Sequence, residues 1–576
     1  MNPAVTAMLP AGLKIDRQAH IRRASSWILC ASVFVAASLT PCMVGAQAVD
    51  TSAAPQRLEA QPMMGAQAVD TSAAPQSVDA SAAPPRLEER PARRRTARWH
   101  ITPQVTVSET YTDNEAHAPS GSAQSGWVRD LTPGIRVEGA GPRVTGFFDY
   151  RLHDLAYANQ SQLNNRQNLL NSFATVEAVE NWLFVDARAS ITQQNTSAFG
   201  AAVQDTASAS TNRTETTVYQ VSPYLRGKVS DIAAYQIRFN QTGSRTNAGA
   251  SAATEMETTE WVARIKNTPS SSKVGWSFDS DAMTIRNDTV GKKQNGRIRG
   301  SLIYDIYPEL HASLIYGREN TDYASSTMQS ANTPGFGLEW SPGARTQFVA
   351  VKERRSFGEG HSLLLSHRTP LVALIYTDNK DVTVMSNQIA AAGQGSAYAL
   401  MSDLLASSIP DPEARGQAVR SRLEQTGVST APAGGFITSS IFVNHNREAS
   451  AVLLGRRNTM TITLNQRVSQ SIGPGAASVT DSFSSSTDIR QQAATVAWMH
   501  RLSPLSTITN SVSQLHTSGS GVTSIESRQN SHNAFFTYQI GVKASVSVGV
   551  RRTQFFSTVA PGYRENAFVG SLLISF

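Results

Sequence analysis

The chain ends on "GSLLISF", Gly570 to Phe576. Read backwards from the terminus, Phe576, Ile574, Leu572, Gly570 and Phe568 fall on one face of an extended strand, and Ser575, Leu573, Ser571, Val569 and Ala567 on the other. A two-residue period that runs into the last residue is unusual, because free termini tend to fray. It makes sense if the last strand must pair with the first, as in a closed barrel without sheet edges. Phe568, Leu572, Ile574 and Phe576 then also resemble the carboxyl-terminal signal by which outer-membrane barrels are handed to their assembly machinery.

The same alternation recurs through the chain from Trp99 onward. In "WLFVDARASIT" (182–192), Leu183, Val185, Ala187, Ala189 and Ile191 oppose Phe184, Asp186, Arg188 and Ser190. In "FFDYRLHDL" (147–155), Phe148, Tyr150 and Leu152 oppose Asp149, Arg151 and His153. Segments around 235–240, 459–467 and 546–550 repeat the pattern, as period two requires of half-buried strands. Hydrophobic content of 40% and a mean hydropathy of −0.26 exclude a helical membrane protein. A soluble sandwich or propeller also alternates, but nearly 480 residues in one series without blade-length repeats fits neither. The reading is an all-β fold: a transmembrane antiparallel up-and-down barrel of about 22 strands, within 18–22, with apolar residues toward lipid and polar residues toward a wet lumen.

Connections agree. Glu180–Asn181, Ser341–Arg345, Gly455–Arg457 and Ser503–Pro504 are short, whereas "NTSAFGAAVQDTASASTN" and "SIGPGAASVTDSFSSSTD" are long and polar. Short periplasmic turns opposite long surface loops are the outer-membrane pattern. Trp99, Trp127, Trp182, Trp261, Trp340, Tyr304 and Tyr307 lie near strand ends, where interfacial girdles belong.

The barrel is preceded by simpler sequence. Residues 1–48 read as a signal peptide: Arg22 and Arg23 close a basic region, "WILCASVFVAASL" is the apolar stretch, and Ala46 and Ala48 offer a cleavage site. A lipoprotein signal at "LTPC" is the weaker reading. Both cysteines, Cys30 and Cys42, lie in this segment, so the mature chain carries no disulfide. Residues 49–98 read as a disordered periplasmic linker in which "GAQAVDTSAAPQ" occurs at 45–56 and again at 65–76. The linker ends in Arg90, Arg93, Arg94, Arg95 and Arg98, either a basic anchor to anionic groups or a solvated linker. It is too short and simple for a plug domain, which argues against a siderophore-type gated transporter.

One stretch, 378–435, breaks the alternation. Met401, Leu404 and Leu405 have helical spacing, and Asp411, Pro412 and Glu413 make a helix start that Gly427 would end, with Val419 and Leu423 on one face. Counting strands places this insertion on the periplasmic side, as a plug, a gate, a docking element or an elaborated turn.

"WHITPQVTVSETYTDN", "WVRDLTPGIRVEG", "DYRLHDLAYANQS" and above all "ENWLFVDARASITQQN" resemble the outer-membrane β-barrel proteins associated with PEP-CTERM/exosortase protein-sorting systems, which are porin-like. The resemblance runs from about Trp99 to the terminus and is densest over the first hundred barrel residues. It implies a Gram-negative outer membrane and genomic company with exopolysaccharide and exosortase genes, and supplies no catalytic residues.

A search for chemistry returns little. The 11 histidines show no HExxH and no paired metal spacing, so the expected metal and cofactor content is none. There is no G-x-S-x-G elbow and no P-loop. "NHNRE" (444–448) could suggest acid/base work at a barrel mouth, but a lone loop histidine is usually solvated. The formal charge of +7 and pI near 9.4 are inflated by the signal and the Arg-rich linker, so no nucleic-acid partner is expected.

Charged residues inside strands are more informative. Arg136, Asp149, Arg151, Asp186, Arg188, Arg238, Arg264, Asp279, Asp281, Arg297, Arg299, Asp305 and Arg467 occupy the polar phase. Arg on the lipid face at mid-depth costs about 2–4 kcal/mol, so these residues are candidates for the lumen wall. Either they select and conduct an anionic or hydrated polymer, or they fill a closed barrel with ion pairs. The leading expectation is passage of an exopolysaccharide or polar solutes, with outer-membrane lipid, the barrel-assembly machinery and periplasmic export components as partners. The alternatives are a non-conducting barrel that anchors a surface assembly and, least favoured, an outer-membrane enzyme.

Overall fold

Twenty-three strands, β1 (Arg98–Thr112) to β23 (Tyr563–Ser575), form one antiparallel sheet that closes on itself. The computed structural model describes residues 98–576, apart from 203–208, 247–254, 268–272, 288–290, 392–395, 406–414, 416–418, 420–434, 474–480 and 522–523. The chain divides into Met1–Gln67, outside the described residues, and Ala68–Phe576, which holds the barrel. The expected signal peptide at 1–48 and the linker up to Ala97 likewise lie outside the described residues.

Closure is made by the terminal stretch. β23 pairs with β1 from Gln104↔Ser575 to Thr112↔Ala567, and the Phe576 amide donates to the Pro103 carbonyl at 2.9 Å. Two labelled strands, β12 (Gln329–Asn332) and β13 (Gly335–Gly343), continue the same register on β11 (Leu310–Thr321) and are one strand interrupted at Thr333–Pro334. The interruption is chemical: proline has no N–H to give to a ladder. The result is a closed antiparallel barrel of 22 strands.

Cross-strand partners point to the same side of a sheet, so the register sorts every strand residue into inward or outward. Trp99, Ile101, Tyr219, Trp261, Leu314, Tyr316, Phe336 and Val550 all lie outward and exposed, as a lipid-facing surface requires. The opposite phase carries Thr110, Asp130, Thr216, Asp279, Arg299 and Glu565, all buried within the barrel. These are the two faces of a transmembrane β-barrel.

The two ends differ. Both described termini and the turns 141–143, 180–182, 344–345 and 455–457 share one end, the turn end. There Asn181 adopts φ 56°, a left-handed conformation that asparagine tolerates in tight turns. The connections 113–125, 195–213, 384–441 and 472–487 share the other, the loop end, beside shorter ones at 288–290 and 356–357.

The 378–435 insertion needs two corrections. Asp378 to Thr383 belong to β16 (Val372–Thr383) and pair with β17 (Phe442–Leu454), so the connection runs from 384 to 441. It also leaves from the loop end, opposite the described termini, whereas the strand count placed it at their end. Sixteen labelled strands precede it, but β12 and β13 are one strand, so the chain has crossed an odd number of times. Counting β12 and β13 as two strands would reverse the side.

Candidate functional site: the filled lumen

All thirteen charged residues singled out from the sequence lie on the inward phase, but few face open water. Arg136 reaches Asp149 at 2.6 Å, and Arg151 reaches the same carboxylate at 3.0 Å. Arg238 pairs with Asp186 at 3.0 Å and packs over the Tyr224 ring. Arg188 sits over the Phe173 ring, Asp305 meets His311 at 2.6 Å, and Arg467 is buried with Asn446 and Gln491 as its cross-strand partners.

The densest pairing runs across β8 (Glu255–Asn267), β9 (Val274–Asn287), β10 (Gly291–Tyr307), β11, β14 (Thr346–Arg355) and β16. Arg264 approaches Asp279 at 3.8 Å, and Arg297 binds Asp281 at 2.8 Å and Glu353 at 3.6 Å. Arg299 also holds Glu353, at 2.5 Å, while Arg355 bridges Glu319 at 2.8 Å and Asp381 at 3.2 Å. Alternating signs along the wall cancel one another. Removing one member of such a buried set leaves an uncompensated charge, which costs about 3–5 kcal/mol.

What covers this wall is the 384–441 connection. Met385 and Ile389, in a helix at Met385–Ala391, pack on Val218 of β6 (Thr214–Val229) and on Ile437 of the returning leg. Val384 and Ile441 pack on Met256 of β8, Ile285 of β9 and Tyr323. A chain that has just left β16 thus meets the inner faces of strands far round the ring, and the lumen is bridged at the loop end.

A second helix, Ser396–Leu405, lies deeper. Leu400, Met401, Leu404 and Leu405 make one apolar stripe that packs, with Val419, against Ala373 of β16 and Val452 of β17. Ala373 is the second residue of β16, at its turn end, roughly 33 Å along the strand from Thr383 at about 3.3 Å per residue. A segment that leaves at one mouth therefore reaches the other. The helical spacing seen in the sequence at Met401, Leu404 and Leu405 corresponds to this helix. Of the helix expected from Asp411 to Gly427, only Arg415 and Val419 are described, both helical and buried; Asp411, Pro412, Glu413, Leu423 and Gly427 lie outside the described residues.

The returning leg is latched at the loop end. The Ile437 amide donates to the Asn195 carbonyl at 2.8 Å, and Asn195 Nδ2 donates to the Gly435 carbonyl at 3.0 Å. Asp481, in the connection between β18 (Asn458–Ser471) and β19 (Asp488–Arg501), accepts from Thr438 Oγ1 at 2.7 Å, the Ser439 amide at 3.2 Å and the Phe483 amide at 3.0 Å. Burial pushes the Asp481 carboxyl up, against the pull of those donors. Around the latch, Ala198, Phe199, Phe436, Phe442, Phe483, Ile489 and Ile525 form an apolar lid drawn from several connections and strand ends.

Sequence reading missed several parts of this site. Glu319, Glu353, Arg355 and Asp381 complete the ion ladder, and Arg551 with Glu565, at 2.8 Å, closes the wall near the seam. Their signal was present in "VAVKERR" (349–355), where Val351, Glu353 and Arg355 share a phase. His445 is another correction: it is a strand residue of β17, not a loop histidine, and its Nε2 lies 2.7 Å from Asp378 Oδ1.

No protein-family model and no curated protein matches the chain. Among solved structures it is similar to the siderophore receptor PirA from Pseudomonas aeruginosa, at 10% identity and a TM-score of 0.39 over 83% of this chain and 80% of that one. It is also similar to the FrpB iron transporter from Neisseria meningitidis, at 9% identity and a TM-score of 0.45 over 82% and 81%. With identities and scores this low, no property of those proteins passes to this chain.

Proposed function

We propose that the protein is a gated outer-membrane transport barrel in which the 384–441 connection is the gate. The observation that carries this reading is the reach of that connection: Leu400, Met401, Leu404 and Leu405 lie against Ala373 and Val452, a full strand length below the mouth where the connection begins. A loop that only decorated the surface would have no reason to bury an apolar helix inside a polar barrel. With the outer-membrane arrangement of short periplasmic turns, the gate enters from outside and the turn end faces the periplasm. The cargo is a hydrated, polar one, an exopolysaccharide strand or small polar solutes, passed along polar sites without covalent chemistry. The sequence resemblance to exosortase-associated barrels favours the polysaccharide.

The test is conductance in planar bilayers. Thr383 and Phe442 are cross-strand partners, so a short Gly-Ser turn can replace 384–441 without disturbing β16 or β17. Large stable steps from the shortened protein, with silence or brief small steps from the full chain, are expected. Silence from both, with heat-modifiable migration confirming folded barrels, would instead favour the second reading, a closed anchoring barrel. The ion ladder is the specific observation on the side of that alternative.

A further inference from the structure

Three residues that no sequence motif connects meet on the outer wall. Register places His361 of β15 (Gly358–Arg368), Asp378 of β16 and His445 of β17 on the outward phase, the one that carries Leu365 and Tyr376. His361 Nε2 lies 2.9 Å and His445 Nε2 2.7 Å from the same atom, Asp378 Oδ1, and the two imidazoles stand edge to face with centroids 5.0 Å apart. One donor atom from each of the three lies within 4.8 Å of the others. Asp378 Oδ2 is held separately, by Arg447 Nε at 3.3 Å and by the Tyr376 hydroxyl at 3.5 Å.

We propose that His361, Asp378 and His445 bind one divalent transition-metal ion of the zinc class. Two imidazoles and a carboxylate suit Zn²⁺, Co²⁺ or Ni²⁺, whereas Mg²⁺ and Ca²⁺ prefer an all-oxygen shell. An ion about 2.0–2.1 Å from each donor needs the two imidazole nitrogens only slightly further from Asp378 Oδ1 than the 2.9 and 2.7 Å at which they stand, a change that side-chain rotation on three neighbouring strands supplies. Arg447 and Tyr376 fix the carboxylate so that Oδ1 faces the histidines, the orienting role that outer partners play in metal sites. Water would complete the coordination.

Toward the turn end the same outward rows carry Leu363, Leu365, Leu374, Ala449 and Ala451; Lys380 stands level with the two histidines as the cross-strand partner of both, and Glu359 lies nearer the loop end. The trio therefore marks the edge of the apolar belt, where an ion would clip together the strands on either side of the gate connection.

The experiment uses the full-length protein refolded in detergent micelles without a histidine tag. Co²⁺ is titrated while its ligand-field absorption is followed, and Zn²⁺ is then used to displace it. Saturation at one ion per chain is expected, with no displacement by Mg²⁺ or Ca²⁺. His361→Gln, His445→Gln and Asp378→Asn should each weaken binding by about tenfold or more. His532→Ala, an outward histidine elsewhere on the wall, should leave it unchanged. Heat-modifiable migration shows that each variant is folded, and Asp378→Asn keeps an acceptor for both imidazoles. Absence of saturable binding to the folded native protein, or equal affinity in the native protein and all three site variants, would overturn the proposal.

Discussion

The wall and the 384–441 connection of this barrel are built on opposite principles. Every strand of the wall is fixed on both sides by backbone ladders, and its inward charges are tied by side-chain pairs such as Arg297–Asp281 and Arg355–Glu319. Within the described part of the 384–441 connection, the ties to the wall are apolar contacts, a few hydrogen bonds and one short bridge, Asn195↔Phe436. Ladder pairing is cooperative and is lost as a unit. Apolar contacts are additive and can be exchanged for water or cargo at about 1.5–3 kcal/mol per buried side chain. The difference sets a frame held by ladders apart from a connection held by exchangeable contacts, as the proposed gate requires.

The largest effect should come from breaking the frame. Deleting Tyr563–Phe576 removes β23 and leaves β1 and β22 (Ala544–Ser557) as unpaired edges. No heat-modifiable folded band is expected from that protein in refolding assays. A folded, pore-forming product would show that the seam is dispensable. Next in size is Arg355→Ala, which strands Glu319 and Asp381 in the wall and should cost about 3–5 kcal/mol in urea-refolding titrations. Replacing Arg355 and Glu319 together by methionine should recover part of that loss, because an apolar pair needs no compensation.

Substitutions in the gate should separate the two principles. Met401→Asp and Leu404→Asp place a charge in the cluster formed with Ala373 and Val452. The helix should leave the wall while the barrel keeps its folded migration, and conductance steps should appear in the full-length chain. Equal loss of folded protein and of channel silence would mean that the gate is part of the frame.

The fold was legible because lipid and water impose one rule on every strand. Phe576 and its alternating partners identified the closing strand, and Asp186 against Ala187 in one short run identified the two faces. The side of the insertion was not legible, since it hangs on strand parity, and a break such as Pro334 interrupts a strand without ending it. The ion ladder was half legible: phase shows that Arg297 and Asp281 face inward, but only register shows that they meet. The gate's seat did leave a trace. In "VALIY" (372–376) and "AVLL" (451–454) both phases are apolar, where a wet inner face should be polar. Something had to cover Ala373 and Val452. His361, Asp378 and His445 could not have been found without pairing, since 67 residues separate Asp378 from His445 and their neighbourhood is a product of register alone.

The smallest predicted effect lies at the latch, where frame and gate touch. Asp481 holds Thr438 and Ser439 of the returning leg and caps the short turn at Phe483. Asp481→Ala should loosen residues 435–441 by about 1–2 kcal/mol, read as a 5–30-fold faster amide exchange there with no change in the strands. The same group gives the latch a pH dependence. Burial raises the Asp481 carboxyl above its ordinary value, so the closed latch binds the proton more tightly than the released loop does. Its contribution is complete below the ordinary aspartate pKa of about 3.9 and is lost as pH rises through the higher folded value. After correction for intrinsic rates, exchange in 435–441 should quicken as pH rises above about 4 in the native protein and stay level in Asp481→Asn, which cannot ionise. A level profile in both would mean that Asp481 keeps its charge when buried, with its three donors outweighing the loss of water. The latch would then be a fixed part of the frame, and only the apolar helix at 396–405 would be free to open.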